Sequence, residues 1–155
     1  MPHISMEYAI MTPILIIQVI LIPMATGWMT DVWVEQRRET ALRDAGSHMG
    51  TTIQQLFFSL DREEIAAGIT TQTANVPPFI ESIPYIITAS STRVGNATLV
   101  DLYLALMGTN IAVSSRVTLG PNVLWEQSTL VSNSASASIQ VQKFSNGTLG
   151  FSFGS

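Results

Sequence analysis

The chain has 155 residues, of which 46% are hydrophobic and only 12% charged, about half the charged share usual for a soluble globular protein. It contains no cysteine, which excludes disulfides and thiolate metal sites. A net charge of −4 and an isoelectric point near 4.9 leave no basic footprint for nucleic acid.

At the N-terminus Met1 stands before Pro2. A translated Met-Pro start normally loses its methionine, so the pair suggests that Met1 was not the initiator and that an upstream leader was cut away. From Tyr8 to Thr30 there are 23 residues without Asp, Glu, Lys or Arg. As a helix this run spans roughly 35 Å, enough to cross a hydrocarbon layer of about 30 Å. It lacks a basic segment before it and is too long for the apolar core of a secretory signal peptide. Tyr8, Trp28 and Trp33 bracket it, as interfacial anchors in a membrane or as contact residues in a bundle. Pro13 and Pro23 lie inside it. In water each would break the helix, whereas an apolar bundle tolerates the kink, with Thr12 and Thr26 near enough to satisfy freed carbonyls. Glu7 stands at the start of the run. It is either a headgroup-level polar residue or a carboxylate paired with the α-amino group of a neighbouring copy's Met1.

A charged band follows, with Asp31, Glu35, Arg37, Arg38, Glu39, Arg43 and Asp44. Glu35, Glu39, Arg38 and Arg43 have the spacing for pairs three and four residues apart. Leu42, Ala45, Met49, Ile53, Leu56 and Leu60 form one stripe of an amphipathic helix. Gly46 and Gly50 weaken that helix by about 1 kcal/mol each. The expected organisation is a long helix within residues 1–67, continuous from about residue 4 to about residue 65 and too long to fold back, so that it protrudes. A Thr- and Pro-rich linker over 68–78 and a β-rich outer domain over 79–155 complete it.

The last segment reads as six short strands separated by turns at Val94-Gly95-Asn96, Gly108-Thr109-Asn110, Gly120-Pro121-Asn122 and Asn146-Gly147. The fold class is therefore α+β, a hydrophobic helix followed by an antiparallel, immunoglobulin-like β-sandwich. Asn146-Gly147 is the strongest hairpin signal, fitting a type I′ turn. Residues 76–155 carry six charged side chains and are rich in Ser and Thr, as in exported proteins. Two sequons, at Asn96 and Asn146, fall in turns where a glycan is held in solvent.

No constellation for catalysis is legible. His3 and His48 are the only histidines and have no partner ligands at metal-binding spacing. Glu63 and Glu64 read as a solvated cluster at a helix end, and no phosphate loop or nucleophile elbow occurs. The expectation is a protein that is not an enzyme, with no cofactor and no metal.

The start "MEYAIMTPIL", with Glu7 followed by Tyr8, then an apolar helix and a kinking proline, resembles the type IV pilins. The Glu-Tyr pair before an aliphatic helix is most similar to the archaeal class, as are the amphipathic continuation and the Ser/Thr-rich β-domain. The likeness covers the plan of the whole chain, with its specific signal in about the first 35 residues. It implies a precursor cut by a prepilin peptidase, a helix held in the cytoplasmic membrane, and its extraction by an assembly machinery into a filament core under a β shell. Glu7 would match the family's near-terminal glutamate and Pro23 its kinking proline. That glutamate usually stands fifth from the mature end. Here it is seventh from Met1 and fifth from His3, which bears on its partner and not on the bundle. The reading is an extracellular filament subunit for adhesion. The alternatives are a subunit of the swimming archaellum and a single-pass surface protein with a β-sandwich binding domain. For the last, Arg37, Arg38 and Arg43 after the run orient the β-domain inward, against its exported character.

Overall fold

The computed structural model describes residues 3–62 and 64–154, with side chains described over 10–62 and 64–154. The fold is α+β. One helix, α1 (His3–Leu60), precedes eight strands. The chain divides into two units, Met1–Arg37 and Arg38–Ser155, so α1 contributes to both.

In the first unit α1 runs unbroken through Pro13 and Pro23. The Thr26 hydroxyl is shared between the carbonyls of Ile22 (2.9 Å) and Pro23 (3.0 Å), and Thr30 donates to the Thr26 carbonyl at 2.8 Å. Each threonine thus satisfies its own polar group on the helix backbone, which is how hydroxyl side chains are accommodated where water is absent.

In the second unit the helix turns amphipathic. Leu42, Ala45, Met49, Ile53, Leu56 and Leu60 are all buried, as their spacing requires, and Phe57 joins them. They cover a sheet ordered β4-β3-β2-β6, built from β2 (Tyr85–Val94), β3 (Ala97–Leu106), β4 (Ala112–Leu119) and β6 (Ser128–Val131). Alternate residues of these strands point inward, among them Tyr85, Ile87, Val100, Leu102, Leu104, Val113, Val117 and Leu130. Gly46 and Gly50 lie on the packed face of α1. A Cβ on Gly46 would stand 3.0 Å from Leu104 Cδ1, and one on Gly50 2.9 Å from Val117 Cγ2. The two glycines let helix and sheet approach, so their propensity cost is offset by packing.

The second sheet is ordered β1-β7-β8-β5, from β1 (Gly68–Thr73), β5 (Val123–Trp125), β7 (Ser138–Lys143) and β8 (Leu149–Gly154). Ile139, Val141, Leu149, Phe151 and Phe153 face the shared core. The Trp125 ring stacks on Phe151 at 5.6 Å and meets Phe153 edge-on at 5.3 Å, while its buried indole N–H finds no acceptor among the described residues. The two sheets make a sandwich-like region in which every pairing is antiparallel except β5 with β8.

Several expectations are corrected. The helix ends at Leu60, and residues 68–73 of the expected linker are strand β1, paired with β7 from Gly68↔Lys143 to Thr73↔Ser138. The rest of that segment is pinned: Tyr85 Oη donates to the Pro77 carbonyl (2.7 Å) and Ser132 Oγ to that of Pro78 (2.8 Å). "NVLWEQSTLV" is two strands in different sheets, separated at Glu126-Gln127. The Asn146-Gly147 hairpin is not type I′, because only Gly147 has positive φ (80°). Phe144 N–H donates to Thr148 O and Gly147 N–H to Phe144 O, a three-residue loop with the glycine in its left-handed position. The two-residue hairpin lies at Gly95-Asn96, between Val94 and Ala97, with positive φ at Gly95 alone, as a type II′ turn requires. The type I′ pattern occurs at Glu81 (48°) and Ser82 (69°) instead, closed by reciprocal hydrogen bonds of Ile80 and Ile83.

Candidate functional site

The feature most in need of a function is the first half of α1. Residues 10–31 are all exposed. Thirteen large hydrophobic side chains between Ile10 and Met29 are 50% to 73% exposed. Among the described residues this is the one helix long and apolar enough to cross a membrane. At about 2 kcal/mol per fully buried side chain, covering the exposed fraction of these thirteen is worth on the order of 15 kcal/mol. That matches the entire stability of an ordinary domain. Covering such a surface is strongly favoured over leaving it in water.

Of the residues expected to act in assembly, Pro13, Pro23, Trp28 and Trp33 lie on this helix. Trp28 is 73% and Trp33 63% exposed, so neither is consumed by packing within the chain. Met1 lies outside the described residues. Glu7, Tyr8 and His3 belong to α1, but their side chains are outside the described set, and the pairing of Glu7 with an α-amino group falls there too. Between Pro13 and Ala25 the sequence has one hydrogen-bonding side chain, Gln18. Hydropathy patterning hides it, because one carboxamide hardly lowers the average of so apolar a run.

The charged band divides its loyalties. Arg43 pairs with Glu39 at 2.8 Å, four residues apart. Arg38 instead reaches Glu81 at 2.7 Å, tying the helix to the left-handed Glu81-Ser82 turn. The Arg43–Glu39 pair is surface-exposed and worth a few tenths of a kcal/mol, about 0.3–0.5. Arg116 and Asp101 are opposite one another on β4 and β3, 2.6 Å apart. The hydrogen bond to Asp101, and then its charge, raise the Arg116 pKa. Lys143, the chain's single lysine, reaches from β7 to the end of α1. Its Nζ donates to the carbonyls of Leu60 (2.8 Å) and Arg62. It caps acceptors left open at a helix C-terminus, where positive charge is favoured. Only the three-dimensional closure of the sheet brings it there.

Asn96 and Asn146 are exposed in their hairpins. The sequon residue Thr98 is 3% exposed in the folded chain, with its hydroxyl 3.5 Å from the Val123 carbonyl. Asn146 Oδ1 accepts the N–H of Thr148 (3.0 Å). A glycan at Asn96 would therefore have to be attached before the β region closes.

His48 is exposed on α1 and Glu64 beyond its end. Glu63 lies outside the described residues. Among the described residues no three His, Asp or Glu side chains gather as metal ligands. On the outer face of β1-β7-β8-β5 lies a depression lined by Ile69, Leu124, Gln140, Gln142, Phe144 and Gly150. Glu126 and Ser152 line it too, so its groups are two amides, a carboxylate, a hydroxyl and apolar side chains.

No protein-family model matches the chain, and no curated protein or solved structure matches it either.

Proposed function

We propose that the chain is the structural subunit of an extracellular type IV pilus-like filament, polymerising through residues 10–30 and serving adhesion. The observation that carries this reading is the uninterrupted exposure of an all-round apolar helix segment. A helix apolar on every side must be surrounded on every side. Lipid does this while the subunit waits in the cytoplasmic membrane, and copies of the same segment do it after extraction. Neighbours related by a non-closing screw give an open fibre. The sandwich-like region is the outer shell, and we read it as immunoglobulin-like, although the parallel β5–β8 pair departs from a wholly antiparallel order. Its contribution is contact and not catalysis. The partners of this reading are further copies of the chain, the membrane, a prepilin peptidase and an assembly machinery. The archaellum variant shares all of this and differs in what the fibre does.

The test is to shear filaments from the cells that make the protein, sequence the subunit's N-terminus and image the fibres. Fibres built of this chain with a processed end are expected. The variant Glu7→Ala should lower fibre yield while the β region stays folded, as judged by circular dichroism. Normal yield would remove Glu7 from the mechanism. A monomer permanently held in the membrane would favour the single-pass surface protein instead.

A further inference from the structure

Gln18 sits in the middle of the apolar segment, exposed. Its neighbours in polarity, Thr26 and Thr30, each have an acceptor on their own helix. Gln18 has no hydrogen-bond partner among the described residues. In lipid or in a dry bundle no water replaces one, and an unsatisfied carboxamide there is strongly disfavoured. Five residues on, Pro23 lacks an N–H, so the carbonyl of Val19 loses the donor that an uninterrupted helix would give it. Thr26 does not repair this, since its hydroxyl serves Ile22 and Pro23. A donor without an acceptor and an acceptor without a donor are thus adjacent in sequence, about 100° apart around the helix. One helix cannot join them to each other. Two helices can.

We propose that the Gln18 carboxamide of one copy donates to the Val19 carbonyl of a second copy, setting the axial register between neighbouring helices. This rests on the reading of residues 10–30 as a self-association surface. Because donor and acceptor lie on different faces, each copy gives to one neighbour and receives from another. That is a heterologous contact, which propagates instead of closing on itself. Hydrophobic burial alone has no preferred sliding position along so uniform a rod. One directional bond per interface does, and it holds neighbours within about one helical turn, roughly 5 Å, of a fixed offset. The occupant is a second copy of this chain, because the matching acceptor is this chain's own.

The experiment uses the full chain in phosphatidylcholine vesicles, where no filament forms. The protein has no cysteine, so a chain carrying Ile22→Cys, one turn from Gln18 on the donor face, mixed with a chain carrying Leu15→Cys, one turn from Val19 on the acceptor face, supplies a crosslinking pair specific to this interface. Adding Gln18→Leu removes the donor, and adding Pro23→Ala returns an N–H to the Val19 carbonyl, which is then satisfied within its own helix. Each should lower the crosslinked fraction about threefold, the size of a typical interhelical hydrogen bond in a membrane. The double variant should be no worse than either single one, because both break the same bond. Unchanged crosslinking in the Leu variant, or additive losses in the double, would overturn the proposal. Crosslinking that depends on Gln18 in cells bearing no fibres would leave it standing and sink the filament reading instead. Fibres in which Gln18 faces an apolar wall would sink the register bond alone.

Discussion

Gly50 offers the sharpest test of how the helix meets the sheet. Replacing it with Ala gains about 1 kcal/mol of helix propensity. The new methyl would sit 2.9 Å from Val117 Cγ2, and a β-branched side chain has little χ1 freedom with which to retreat. Overpacking of this kind costs about 1–3 kcal/mol, so Gly50→Ala should be destabilising by about 1 kcal/mol despite the better helix former. Val117, 3% exposed, loses two methyl groups in Val117→Ala, about 1.6 kcal/mol of transfer plus a cavity term, or about 2–3 kcal/mol in all. In the double variant the clash is gone, the propensity gain is realised and the new methyl fills part of the cavity. The expected loss is about 1–2 kcal/mol, well short of the sum of the singles, with a coupling of about 2 kcal/mol. Thermal unfolding of the full chain in detergent micelles, followed by near-ultraviolet circular dichroism of the Trp125 cluster, reads this as about 3 °C per kcal/mol. A Gly50→Ala chain that melts higher by the full propensity gain, or additivity within about 0.5 kcal/mol, would refute the close-approach argument.

Ser82 holds a left-handed φ of 69° in a turn anchored by the Arg38–Glu81 pair. Ser82→Gly removes a steric cost of about 1–2 kcal/mol and adds part of it back as chain entropy, so the melting temperature should rise by a few degrees. No rise would mean the turn is relaxed. Lys143→Met should leave the Leu60 and Arg62 carbonyls uncapped at a cost of about 1.5 kcal/mol. Amide exchange in the last turn of α1 should quicken about tenfold, and unchanged exchange would show that the cap is idle. Burial pushes the Tyr85 phenol up to about 12, against about 10 in an unfolded chain. The folded form therefore keeps a proton that the unfolded form releases. The contribution is complete below pH 10 and is lost as pH climbs from about 10 to about 12. Tyr85→Phe should flatten this part of the stability profile relative to the native chain, and parallel profiles would contradict the assignment.

What the sequence reveals and what it hides follow a physical line. The buried stripe from Leu42 to Leu60 is legible because a helix packed on one side repeats its apolar residues at a fixed angle. The strands from Tyr85 onward show the period-two pattern of a half-buried sheet. Strand β1 escapes notice because all six of its residues are exposed, and "GITTQT" alternates nothing. The division of "NVLWEQSTLV" into β5 and β6 depends on which sheet each half joins, a decision made by partners distant in sequence. Gly46 and Gly50 look like flaws until Leu104 and Val117 are seen opposite them. Lys143 looks solvated until the sheet carries it to the end of α1. In the candidate assembly surface the apolar run and its prolines are plain from composition. The meaning of Gln18 emerges only when Pro23 is seen to strand the Val19 carbonyl.

The most direct measurement is a density map of the protein in its native surroundings, at a resolution that separates side chains along residues 10–30. The expected result is a water-free core in which Ile16, Ile20 and Trp28 of one subunit touch the same stretch of several others, with no acyl chains between them. Residues 10–30 lying singly in a bilayer in every particle, or folded against their own β-sheets, would contradict it.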